Sequence, residues 1–174
     1  MSGFAKRMVR AARLDADLYE EVEADRDSLG QAMTVVVLAS IAAGLGSPTT
    51  ERGLVAVVIT VGALLGWLIW AYLSYVIGAR LLPEPQTQSN WGELLRTTGF
   101  ATAPGLIRIL GVIRPLAGIV FPIASIWMLL TMVIAVRQAL DYTSTWRAIG
   151  VCAIGWLIQA AVIALVFAVA APPP

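Results

Sequence analysis

A chain of 174 residues that is 59% hydrophobic and 13% charged, with a mean hydropathy of +0.81, carries more apolar surface than a soluble domain of its size can hide. A formal net charge of +1 supplies no basic field for nucleic acid. The absence of histidine removes the commonest general base and imidazole ligand, and the lone Cys152 can form no intrachain disulfide.

Residues 4–13 are amphipathic at helical period. Phe4, Ala5, Met8, Val9, Ala11 and Ala12 share one side, and Lys6, Arg7, Arg10 and Arg13 fill the other. That pattern predicts a short helix in the headgroup plane, with Phe4, Lys6, Arg7, Met8, Arg10 and Arg13 as membrane-surface contacts. The plainer alternative is an amphipathic helix packed on protein. Seven carboxylates follow within 13 residues, from Asp15 to Asp27, around a narrow apolar stripe of Leu18, Tyr19 and Val22. A charge run is usually a solvated face. Here it is expected to meet cytoplasmic arginines, pairing Asp17, Glu20 and Glu21 with Arg80, Arg96, Arg137 and Arg147.

Five apolar segments come next: 29–45, 54–77, 94–113, 116–136 and 149–170. Each is close to the ~20 residues that a helix needs to cross a bilayer. In lipid the backbone must pair within its own segment, so helix is the expected state. The third is the weakest, because it contains Arg96, Pro104 and Arg108. A tight turn with Pro48 joins the first two. The loop 81–91, with Pro83 and Pro85, is the longest and the best candidate for a mobile one. Glu84 and Glu93 read as surface groups. Arg114-Pro115 separates the third and fourth segments, Thr143 or Ser144 can cap the fifth helix, and prolines 172–174 stop it. Pro104 and Pro122 should kink or open their helices. With the amino terminus inside, nine basic residues fall on the inner side and three on the outer, Arg52, Arg108 and Arg114. The positive-inside rule favours that orientation, with the carboxy terminus outside. The acidic leader before the first apolar run argues against a cleaved signal peptide.

The expected architecture is therefore all-α: a polytopic five-helix transmembrane bundle (28–171) preceded by a cytoplasmic segment (1–27) with an interfacial helix. Arg108 is the one charge well inside an apolar segment. It can snorkel toward Arg114, or face an anionic lipid headgroup, an ion or a carboxylate. Gln159 is a mid-span polar group suited to bonding between helices. Gly62 and Gly66, and Ala160, Ala164 and Ala168, form small-residue faces for helix packing.

Four stretches carry a resemblance. They are Leu14-Asp15-Ala16-Asp17-Leu18-Tyr19-Glu20-Glu21-Val22-Glu23, Gly66-Trp67 to Tyr75-Val76-Ile77-Gly78, Gly99-Phe100-Ala101-Thr102-Ala103-Pro104, and Ile126-Trp127 to Val136-Arg137-Gln138-Ala139-Leu140. Together they resemble the Ypt-interacting-protein (Yip) domain family in its prokaryotic form. The resemblance implies a five-span membrane protein with a cytoplasmic amino terminus. Eukaryotic members are linked to small trafficking GTPases and vesicle transport, machinery that prokaryotic relatives lack. It carries over no catalytic residue.

No Walker loop, HExxH, G-x-S-x-G or Cys/His cluster occurs in the sequence. No Asp or Glu lies deep in an apolar segment, which disfavours a proton relay. The leading reading is a non-enzymatic membrane module without a cofactor. It would organise lipids or partner proteins, as a homo-oligomer or as a small accessory subunit of a larger complex in the cell membrane. The alternative is a small transporter or channel with a path near Arg108 and Gln159. A membrane enzyme acting on lipid ranks below both.

Overall fold

The computed structural model describes residues 3–47 and 53–170. The turn at Pro48, Arg52 and the proline tail 172–174 lie outside the described residues. The elements are α1 (Gly3–Ala12), α2 (Ala16–Ala24), a 3-10 turn (Arg26–Ser28), α3 (Leu29–Gly46), α4 (Leu54–Tyr75), a π-helical turn (Val76–Leu81), α5 (Trp91–Ala101), a 3-10 segment (Ala103–Val112), α6 (Arg114–Ala139) and α7 (Thr145–Ala170). No strand occurs among the described residues.

Four helices among the described residues are long and apolar enough to cross a membrane: Arg26–Gly46, Thr60–Leu81, Arg114–Ala139 and Thr145–Val162. The expected five-helix bundle is corrected on this point, because the third apolar segment is not one helix. It breaks at Thr102, between α5 and the 3-10 segment. The cause is local. Pro104 has no N–H to give the Phe100 carbonyl, and the residue before a proline resists the helical region. Thr102 Oγ1 turns back to the Gly99 carbonyl at 2.7 Å, closing the helix with a side chain. The Ala101 carbonyl, freed by the break, accepts from Thr131 Oγ1 of α6 at 2.7 Å. A polar gap at this depth is tolerated because it is sealed by protein.

The broken segment is the most buried part of the chain, with Arg96 to Gly105 all buried. It runs alongside α3 in the same direction. Gly99 faces Ala32, Gly105 faces Ala39, and Gly46 faces the backbone of Arg108 and Gly111. A Cβ on Gly99 would come within 2.8 Å of Ala32 Cβ, and one on Gly46 would strike the Arg108 carbonyl. Only glycine permits that approach. The heptad of small residues on α3 thus meets a six-residue spacing on its neighbour, where 3-10 turns of three residues bring every sixth residue to the same face. α4 and α7 complete the bundle, with α6 packed on the 3-10 segment.

Two apolar clusters hold the fold. One joins Trp70, Ile77, Leu94, Val136, Leu140 and Val151. The other joins Leu18, Tyr19 and Val22 of α2 to Val35, Phe100 and Ala135.

Candidate functional site

The amino-terminal helices form a cap docked against α5 and α6. Leu14, with φ 64°, makes the left-handed turn that folds α2 back along α1. Leu18, Tyr19 and Val22 are fully buried, and the Tyr19 hydroxyl donates to the Ala11 carbonyl at 3.2 Å. The Ser28 hydroxyl, also buried, reaches the Val22 and Asp25 carbonyls at 2.9 and 2.7 Å and fixes α2 to α3. Trp127 Nε1 donates to the Ala12 carbonyl at 2.7 Å. Trp127 lies halfway along α6. α1 therefore lies beside this half of α6 and not beyond its end.

The acidic segment pairs with α1. Glu21 meets Arg7 at 2.8 Å and Arg10 at 2.6 Å; Arg10 also meets Asp15 at 2.6 Å, and Arg7 meets Asp25 at 3.0 Å. Arg10 holds both Asp15 and Glu21 below the ordinary carboxylate range. The expected partners sit elsewhere. Arg80 bonds Tyr75 Oη and lies over that ring, Arg137 Nε donates to the Tyr142 carbonyl, and Arg147 pairs with Glu84 at 3.4 Å. Arg96 does reach the acidic segment, but at its backbone: Nε donates to the Val22 carbonyl at 3.0 Å and Nη2 to the Glu23 carbonyl. Asp17 is exposed, and Glu20 accepts from Gln138 Nε2 at 2.8 Å. Among the described residues no carboxylate of 15–27 pairs within 4.0 Å with Arg80, Arg96, Arg137 or Arg147. Arg7 and Arg10 are closer in sequence and face α2 across a two-helix hairpin, so they take the charges first. Glu23 is different. Burial, with Asp141 and Glu93 nearby, raises its carboxyl to about 7, against a smaller opposing effect of Arg96.

On α1 the apolar side packs on protein: Ala11 is buried, and Phe4 and Met8 lie against the second cluster. Lys6, Val9 and Arg13 stay exposed on one stripe, without an ion pair among the described residues.

The loop 81–91 is clasped to the α6–α7 turn, and Glu84, expected at the surface, is 7% exposed at its side chain. Its carboxylate accepts from Thr143 N at 3.0 Å, Thr143 Oγ1 at 2.9 Å and Gln86 Nε2 at 2.5 Å. The Thr143 amide, above all, holds this carboxyl below its ordinary value. Thr87 Oγ1 adds a bond to the Leu140 carbonyl at 2.9 Å. Sequence reasoning missed this anchor because its partners lie more than fifty residues away. The π-helical turn contributes as well. Leu82 N reaches the Ile77 carbonyl, which frees the Gly78 carbonyl for the Tyr142 hydroxyl at 3.0 Å.

Arg108 does not turn toward Arg114. Its Nη2 donates to Ser125 Oγ at 3.0 Å, and its guanidinium lies 5.6 Å from the Phe121 ring centroid. Ser125 is about 16 Å along α6 from Arg114, at 1.5 Å per residue. Gln159 Nε2 approaches the Gly66 carbonyl at 3.4 Å. Gly62, Ala160 and Ala164 are exposed, so within this chain only Gly66 of that set meets a neighbour from the set. A cavity of about 430 Å3 lies between α3, α4, α6 and α7, and both Arg108 and Gln159 line it.

Among the described residues no cluster of three His, Cys, Asp or Glu side chains could hold a metal ion. No curated protein and no solved structure matches the chain. The Yip1 domain matches residues 16–167, from the start of α2 nearly to the end of α7, as a domain and not as a prokaryotic branch of it. With the match extending over α2, the broken third segment and the four long helices, the chain belongs to the Yip1 domain family of membrane proteins.

Proposed function

We propose that this chain is a non-enzymatic, multi-pass module that organises the membrane or partner proteins, as a homo-oligomer or as a small accessory subunit of a larger complex. The observation that carries the reading is the docked cap. Two short helices are fastened to the bundle by buried apolar side chains, by Arg96 and by Trp127, while Asp17, Glu20 and Arg26 face outward. A rigid, charged, catalytically bare face is suited to recognition. We place residues 1–27 in the cytoplasm and the carboxy terminus outside the cell membrane. The basic-residue split supports this, as does the third segment, which runs parallel to α3 and so adds a crossing without being a continuous helix. Lys6 and Arg13, free of carboxylates, are then the lipid headgroup contacts on α1, beside the packed Phe4 and Met8. Exposed Gly62, Ala160 and Ala164 supply a small-residue face for a second membrane protein.

The test is extraction into polymer discs directly from native membranes, followed by native mass measurement. The reading requires a stoichiometric second chain or second copy, lost when Asp17, Glu20 and Arg26 are reversed in charge or when Ala160 is replaced by Trp. A solitary 18.5 kDa chain would sink it. Orientation is checked by single cysteines in a Cys152→Ser background: Gln88→Cys should resist label applied from outside, and Thr49→Cys should take it. The alternative, a small transporter or channel, draws on the cavity that Arg108 and Gln159 line. Saturable solute flux in liposomes of the pure chain would favour it.

A further inference from the structure

The cavity between the long helices carries a charge that no carboxylate among the described residues balances. Arg108 Nη2 reaches one neutral hydroxyl, Ser125 Oγ, and its ring contact is Phe121. Its Nε is buried without a hydrogen-bond partner. No Asp or Glu among the described residues makes an ion pair with it. Trp70 also lines the cavity, but its buried Nε1 faces Gly155 of α7 beside Ser74, and the Trp67 indole donates to Thr98 Oγ1 at 3.2 Å. The Arg108 guanidinium is thus the donor group on this cavity, matched to an acceptor-only ligand. A buried donor without an acceptor costs free energy, and an uncompensated guanidinium inside a bilayer costs more.

Most of the remaining wall is apolar, from Val36 and Ala43 of α3 to Met128 and Met132 of α6, with Ser40, Thr102 and Gln159 as its polar members. Its exposed members, Gly62, Ala63, Ser125 and Trp156, lie on three membrane-crossing helices. They stand roughly 12–17 Å from the nearer starts of α4, α6 and α7, at 1.5 Å per residue. The mouth therefore opens on the sides of the long helices, at the depth where lipid reaches the free chain. A volume of about 430 Å3 is in the range of small-molecule sites, and it offers one cationic corner and a long apolar wall.

We infer that this cavity binds an anionic phospholipid. Its phosphate sits against the Arg108 guanidinium, and its first acyl methylenes lie along α3 and α6. The site is separate from the amino-terminal face and does not depend on the function proposed for it. Ser125 positions the guanidinium and contributes its hydroxyl, and Gln159 closes the far side toward Gly66.

The experiment uses the full chain, delipidated in neutral detergent, and follows its thermal transition while lipid is added. Phosphatidylglycerol should raise the transition temperature saturably, and phosphatidylcholine should not. Sodium phosphate is the headgroup-only arm and should leave it unchanged. Arg108→Gln should weaken the half-saturating lipid concentration by about tenfold, as loss of a charge-assisted partner does. Ala63→Leu, at an exposed position on the mouth, narrows the entrance and should weaken it several-fold. It decides the matter if Arg108→Gln does not fold. In a Lys6→Gln, Arg13→Gln background the difference between the parent residue and Arg108→Gln should persist, which separates this site from headgroup contacts on α1. Equal response to both lipids, or an unchanged response in Arg108→Gln and Ala63→Leu, overturns the inference. Sodium phosphate reproducing the full effect overturns it in favour of a soluble anion.

Discussion

Arg96 is the peg on which the cap hangs, and replacing it tests the docked arrangement directly. Arg96→Met keeps much of the stem and removes both hydrogen bonds to α2. The Val22 carbonyl retains the Ser28 hydroxyl at 2.9 Å, so only the Glu23 carbonyl loses its partner outright. A hydrogen bond from a charged group contributes ~1.5–3 kcal/mol. Because burying the guanidinium offsets part of that, the lower end applies, about 3 kcal/mol for the two bonds. At 1.4 kcal/mol per decade this is roughly a hundredfold rise in the undocked population. The buried stripe of Leu18, Tyr19 and Val22 still favours docking, so the cap should open without being lost. Hydrogen–deuterium exchange in lipid discs reads this out. Amides of α2 should exchange roughly a hundredfold faster in Arg96→Met, with α6 unchanged and Arg96→Lys in between. If α2 keeps its protection while the guanidinium is gone, or loosens only together with α6, the reasoning fails.

Cap stability should also depend on pH with a maximum near pH 5. Glu23 titrates at about 7 when docked against an ordinary 4.5, so the docked form keeps a proton and loses stability as pH rises between those values. Asp15 and Glu21 are held low by Arg10, so their contribution disappears as pH falls through the acid range. Trypsin cleavage after Arg26 should be slowest between the two limbs, and Glu23→Gln should flatten the upper one. Gly46→Ala places a Cβ on the Arg108 carbonyl, forces α3 off the 3-10 segment and should cost about 1–3 kcal/mol. A lowered thermal transition reports it, with Gly30→Ala, which meets nothing within 4 Å, as the unaffected control. Glu84→Ala releases Thr143 and Arg147, so a broad-specificity protease should cut within 81–91 several-fold faster than in the parent chain.

Periodicity and apolar length sufficed for α3, α4, α6 and α7, because a lipid-facing helix needs little more than an uninterrupted apolar run. The inward turn of Leu18, Tyr19 and Val22 was legible for the same reason, as a stripe at helical spacing. The third segment was not. Its hydropathy resembles that of a span, yet its form is decided by Thr102 and Pro104 and by glycines whose partners on α3 lie some 65 residues away. Charge was the least legible quantity. The topology put the acids and Arg80, Arg96, Arg137 and Arg147 on one side, but hairpin proximity gave the carboxylates to Arg7 and Arg10. Arg108 read as a side chain leaving the membrane, whereas a hydroxyl and a ring on α6 draw it in.

The break at Thr102 bears on how the protein is made. An arginine at the centre of an inserting helix costs roughly 2.5–3.5 kcal/mol, and the third segment carries Arg108 together with Pro104. Machinery that reads apolar length has little to recognise there. In the folded chain this segment lies on a track of Ala32, Ala39 and Gly46 of α3, and its Ala101 carbonyl is answered by Thr131 of α6. Its placement is thus expected to follow that of its neighbours, and bulky residues at Gly99 or Gly105 to act on assembly of the fold.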